Sequence, residues 1–188
     1  MKIPYFSLPN TDFVDLDKLV TFLDSMRKPV KEEDRIEGDY PYYGSTGYIG
    51  TINDYLFDED LILLSEDGGY FRDKIKPISF LIKGKCWVNN HAHVLRLNKK
   101  NEFGITLNYL NFILSTYDVR KYLTGSTRDK LTKDDAKDIL IPLVDKKKIL
   151  EIDQKYVKLT EYKNELSSLY DECLEFETDL IYKYFSKN

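Results

Sequence analysis

ILEIDQKYVKLTEYKNELSSLYDECLEFETDLIYKYF, residues 149–185, runs without a glycine or a proline, the two residues that most readily end a helix. Ile152, Leu159, Leu166, Cys173 and Leu180 recur seven apart, and Tyr162, Leu169 and Phe176 stand three after the middle three of them. That spacing keeps one narrow apolar stripe on one side of an α-helix, the pattern by which helices pair in coiled coils. Lys155 and Lys183 interrupt the second series, so the regular portion is the middle three heptads, with Tyr156 and Tyr184 closing its ends. At 1.5 Å per residue the helix spans ~55 Å, longer than the rest of the chain needs for its own core. The seam predicts another helix as partner, a second copy of the chain before any other. The alternative is that the helix folds back over its own domain.

Upstream the pattern breaks into shorter pieces. Val14, Leu16, Leu19, Val20, Phe22, Leu23 and Met26 are spaced nearer to helix than strand, predicting a helix over Asp12–Arg27 that ends at Lys28-Pro29. Short β-like runs follow at Tyr48–Ile52, Leu61–Ser65, Ile78–Ile82 and Ala92–Leu97, with turn signals at Asn53-Asp54, Asp67-Gly68-Gly69 and Asn98. Leu107–Leu123 returns to helical spacing and stops at Gly125. Thr132 with Asp135 three residues on reads as a helix start, and Pro142 marks a strand end or a linker in Ile139–Leu143. The prediction is an α/β body with a compact, irregular twisted sheet and flanking helices over residues 1–146, then a long helix over 147–188.

Composition agrees with one folded domain plus an appendage: 188 residues, 42% hydrophobic and 32% charged. No run of 18 apolar residues occurs and the MKIPY start lacks the features of a secretory signal, so no membrane span and a cytoplasmic location are expected. Cys86 and Cys173 lie far apart in unlike contexts, which predicts buried thiols and neither a disulfide nor a metal pair. The net charge of −4 is uneven: residues 1–150 hold 23 basic and 23 acidic side chains, and the deficit lies in the tail. Between Gly68 and Lys100, eight basic residues, among them Arg72, Lys74 and Lys76, meet only Asp73. Between Arg120 and Lys133, Arg120, Lys121, Arg128, Lys130 and Lys133 meet only Asp129. Such local excess builds a phosphate-binding face on an acidic protein, or else a set of solvated loops.

Four stretches carry a resemblance: YPYYGSTGYIG (40–50); DYLFD (54–58) with LLSEDGG (63–69); GKCWVNNHAHVL (84–95); and GSTRDKL (125–131) followed by ILIPL (139–143). In this order, with a long helix last, they resemble the target-recognition domain and spacer helix of type I restriction-modification specificity subunits over residues 12–185. The sequence departs from that family in carrying VDKKK (144–148) where a proline-rich turn and Glu-Gln are usual. It also carries one recognition domain and one helix where full-length members carry two of each. The resemblance implies a non-catalytic subunit that binds double-stranded DNA and docks an adenine methyltransferase (modification) subunit. A restriction subunit would be a further partner, and S-adenosylmethionine would belong to the methyltransferase, with no cofactor in this chain. A homodimer through Ile152, Leu159, Tyr162, Leu166, Leu169, Cys173, Phe176 and Leu180 would restore the twofold arrangement and predict a split target of inverted half-sites. The alternatives are a half-subunit paired with a different recognition subunit, and a partner-binding adaptor that no longer reads DNA.

Under that resemblance Arg72, Lys74, Lys76 and Lys130 are candidates for phosphate contact, and Ser45, Thr46, Tyr70, Asn89, Asn90 and Arg128 for base contact. Asn pairs bidentately with adenine and Arg with guanine, which ranks Asn90 and Arg128 first. The plainer reading is that Asn89 and Asn90 shape a turn. His91 and His93, two apart, are close enough to share a metal, but no third histidine exists and a structural role is favoured. No phosphate-binding loop, dinucleotide fingerprint or methyltransferase motif is present.

Overall fold

The computed structural model describes residues 11–73, 76–125 and 127–185. Strand β1 (Phe13–Asp15) pairs antiparallel with β10 (Leu140–Pro142), tying the two ends of the body together before the long helix departs. Between them, α1 (Leu16–Leu19) and β2 (Val20–Phe22) take up the stretch for which the spacing predicts one continuous helix. Val14, Leu16, Leu19, Val20 and Leu23 are buried as that spacing requires, Leu16 and Leu19 completely, whereas Met26 is exposed. The backbone, however, bonds to β10 and to the later strand β9 (Ala92–Leu97), and such remote pairing overrides a local periodicity.

Beside the β1–β10 pair, the other strands form two four-stranded sheets where one irregular sheet is expected. One has the antiparallel order β2-β9-β6-β7, with β6 at Leu61–Ser65 and β7 at Ser79–Ile82. The other has the order β4-β3-β8-β5, with β3 at Tyr40–Gly44, β4 at Gly47–Ile52, β5 at Phe57–Asp58 and β8 at Lys85–Val88. Here β3 and β8 run parallel. Every residue of β6 is buried, and its alternation shows why the run LILLS has no polar side. Ile62 and Leu64 face a core shared with Leu110, Ile113 and Leu114, whereas Leu61 and Leu63 join a second cluster with Val94 of their own sheet and Cys86 and Val88 of the second layer.

Helix α2 (Leu107–Thr116) lies over the first sheet, its start capped by the Thr106 hydroxyl, which accepts the Tyr109 N–H at 3.1 Å. It stops at Thr116, short of the Leu123 that the spacing predicts, because the chain turns extended at Tyr117 and tightens into a 3₁₀ turn at Arg120–Tyr122. Helix α3 (Lys133–Lys137) begins as read, with the Thr132 hydroxyl accepting the Asp135 N–H at 3.2 Å.

Helix α4 (Lys146–Phe185) is capped by the Asp145 carboxylate, which accepts the Lys148 N–H at 3.0 Å. Its first three turns rest on the body. Ile149 is buried, Asp153 accepts the Thr106 hydroxyl at 2.7 Å, and the Asn111 amide donates to the Tyr156 hydroxyl at 2.8 Å. From Val157 to Phe185 every side chain is exposed, so folding back accounts for the start of the helix and for nothing beyond it. Cys86 is buried as expected, but Cys173 is exposed, because it stands on this uncovered length.

Candidate nucleic-acid interface

Parts of the four stretches, around Ser45, Ser65–Asp67, His91 and Leu131, meet at one end of the body. The turn between β3 and β4 is held by Ser65 of β6, whose hydroxyl donates to the Ser45 carbonyl at 2.6 Å. Beyond Ser65 the chain keeps strand-like pairing on both sides: Glu66 N–H donates to His91 O at 2.9 Å, and Leu131 N–H to Glu66 O at 2.8 Å. The β6–β7 loop, the β8–β9 turn and the 125–131 segment are therefore set by backbone bonds at a common edge. Gly68 has φ +61°, a backbone conformation that favours glycine, and the Arg128 guanidinium lies against its open side.

Beneath these loops lies a buried ionic network. Arg27 donates to Glu66 at 2.7 Å and to the Ala92 carbonyl at 2.7 Å, and Lys130 reaches the other Glu66 oxygen at 3.0 Å. His93, 1% exposed, faces Asp24 at 2.8 Å through Nδ1 and the Leu131 carbonyl at 2.9 Å through Nε2. Burial pushes the Asp24 and Glu66 carboxyls up, yet both sit below their ordinary values. The His93 bond and charge, the Val94 N–H and Arg27 outweigh burial at Asp24, and the Arg27 and Lys130 bonds do so at Glu66. Asp24, Glu66 and His93 lie close enough together to suggest a metal cluster. Cationic side chains already fill the Glu66 oxygens, and both nitrogens of His93 have protein acceptors, so the group reads as a satisfied anchor for the loops. His91 points elsewhere, to Asp67 at 2.7 Å.

Cations ring the outer rim of the same loops. Arg72 forms a two-bonded fork with Asp129, Nε to Oδ2 at 2.6 Å and Nη2 to Oδ1 at 2.8 Å, while its side chain stays 75% exposed. The bonds from Arg72 hold the Asp129 carboxyl below its usual range. Arg128 lies 3.4 Å from Asp67, also largely exposed, and Lys76 stands over the Tyr70 ring at 4.5 Å. Ser45 and Thr46 are half-buried at the turn, and Asn90 is exposed. Asn89 is buried, its Oδ1 accepting the His91 N–H at 2.8 Å, which commits that side chain to the turn. Lys74 lies outside the described residues. Arg27 and Asp24 carry no motif and so do not stand out in the sequence, where Glu66, Asp67 and Asp129 look like turn or background acids. The signal available was that these acids stand among the clustered cations.

Among the described residues no helix is long and apolar enough to cross a membrane. A curated relative, described as a type I restriction enzyme specificity subunit of Haemophilus influenzae, is 31% identical over 128 residues, which is 68% of this chain and 32% of that protein. The S subunit of a type I restriction-modification system from M. genitalium is similar in structure, with a TM-score of 0.65 at 17% identity, covering 95% of this chain and 46% of that one. A chain from a structural study of type I system assembly and conformational transition gives a TM-score of 0.53 at 17% identity, over 92% of this chain and 43% of its own length. The chain thus spans about a third of the curated relative and just under half of the solved ones. Residues 10–168 match the family described as the type I restriction modification DNA specificity domain, and the chain belongs to that family.

Proposed function

We propose that this chain recognises double-stranded DNA through its loop end, reading one half of a bipartite target, and that it serves a methyltransferase subunit without performing catalysis itself. The observation that carries the reading is the convergence of the β3–β4, β6–β7, β8–β9 and 125–131 segments on one edge, rimmed by exposed Arg72, Lys76 and Arg128. Cations at the rim neutralise phosphates, and the polar turns between them reach base edges. S-adenosylmethionine is the methyltransferase's cofactor in this reading, and a restriction subunit is a further partner.

Two copies pair antiparallel through α4, which sets the recognition ends apart along DNA and gives inverted half-sites. Support comes from the uncovered seam: Leu166 is 66% exposed, Leu169 56% and Phe176 65%, far more apolar surface than a solvated helix carries. The test of DNA recognition is fluorescence anisotropy with duplex DNA across a salt series. Replacing Arg72, Lys76 and Arg128 together by alanine should weaken binding and flatten the salt dependence by about 0.9 in log-log slope for each phosphate no longer neutralised. Unchanged affinity and slope would favour the adaptor alternative.

A further inference from the structure

We propose that Asp129 is an intramolecular competitor for DNA: its carboxylate occupies the fork of Arg72 that would otherwise take a DNA phosphodiester, and DNA must displace it to bind. The proposal rests on the DNA-recognition reading. A carboxylate and a phosphodiester each present two oxygens to the same guanidinium edge, and the 2.6 and 2.8 Å contacts from Nε and Nη2 are the geometry by which arginine grips either. The partners differ in freedom. Arg72 projects into solvent at 75% exposure, whereas Asp129 is 22% exposed.

Asp129 also sits in a braced turn. Thr124 and Lys130 exchange backbone bonds of 2.8 Å in both directions, and the Lys130 ammonium is fixed to Glu66 at 3.0 Å. Gly125, at φ +97°, packs so closely beneath the Arg128 carbonyl that a side chain there would collide with it. The carboxylate therefore stays in place when Arg72 turns outward. It would be left beside an approaching phosphate of the same sign, which adds to the cost of breaking the pair.

The cost is the same for every DNA, but its effect on occupancy differs. A duplex of arbitrary sequence offers phosphates alone, and every contact with Arg72 must overcome Asp129. A target sequence adds base contacts that offset the same cost. Asp129 thereby lowers the affinity for arbitrary and for target DNA by the same factor, and at protein concentrations that still saturate the target it reduces occupancy of arbitrary DNA alone.

The experiment measures binding of the full chain to a fluorescent duplex of arbitrary sequence by anisotropy at low salt. Asp129→Asn, with Asp129→Ser as a second variant, should bind about fivefold more tightly, the scale expected for loss of one competing exposed ion pair. Asp134→Asn, which removes the same charge from an acid paired with Lys137 at 3.1 Å, should gain much less. In an Arg72→Ala background the Asp129 effect should vanish. No gain in either folded Asp129 variant overturns the proposal, as does a gain that survives Arg72→Ala or is matched by Asp134→Asn. If Arg72→Ala alone and the triple cation variant also leave binding untouched, the DNA-recognition reading itself fails, a result distinct from failure of the Asp129 step.

Discussion

Arg27 connects two loops and a strand through one side chain, bonding to Glu66, to the Ala92 carbonyl and, more distantly, to the Asn90 carbonyl at 3.4 Å. Replacing it with methionine keeps the volume but leaves Glu66 with less counter-charge inside the fold. The expected loss is about 3 kcal/mol of stability at neutral pH, measured by urea unfolding. The network also sets an acid limit. Asp24 and Glu66 have folded values below their ordinary 3.8 and 4.5, so their contribution is complete above those values and is lost as pH falls through the folded ones. The melting temperature of the wild type should hold as pH is lowered to about 4.5 and fall below it. The penalty of Arg27→Met should shrink over the same range, since a protonated Glu66 no longer needs its partner. A penalty that stays constant with pH would place the cost in lost packing.

At the scale of elements, the hinge between body and helix is a small polar chain: the Ser79 hydroxyl donates to Asn111 at 2.6 Å, and Asn111 donates to Tyr156 at 2.8 Å. Tyr156→Phe keeps the ring packed against Phe112 but leaves a buried amide N–H without this acceptor, at about 1 kcal/mol. Hydrogen exchange should quicken in the first three turns of α4 and leave β6 and β9 unchanged; a uniform change across the body would assign Tyr156 a global role. The two cysteines report on the helix separately. Burial pushes the Cys86 thiol up to about 12, so it should resist thiol reagents at neutral pH. The exposed Cys173 should react readily in dilute protein and become protected as concentration rises if α4 finds a partner.

At the scale of the whole molecule, the uncovered length of α4 should drive assembly. Light scattering on the 188-residue chain should give the mass of a dimer, and Leu166→Glu with Leu169→Glu should return it to a monomer with the body still folded, because neither side chain contributes to the body's core. A wild-type chain that stays monomeric at every concentration would turn attention to a different recognition subunit as the helix's partner. Binding to a duplex with two half-sites should fall in the charged variant, since two ends joined by a helix pair bind with raised effective concentration.

Local chemistry was enough for much of this. The seven-residue apolar repeat and absence of glycine and proline specified α4. The run Leu61–Ser65 specified a strand, and Thr132 with Asp135 specified the start of α3, because each depends on neighbours within a few residues. The family pattern likewise pointed to loops that meet at one edge of the body. Tertiary structure alone decided what depends on distant partners. Pairing with β10 and β9 turned parts of a predicted helix at Asp12–Arg27 into two short strands, and the expected sheet became two layers facing each other across β6. Asp129 found Arg72, and Arg27 found Glu66, across separations that no periodicity encodes. Hydrogen bonds and ion pairs act over a few ångströms in space, and only the folded chain brings those residues within that range.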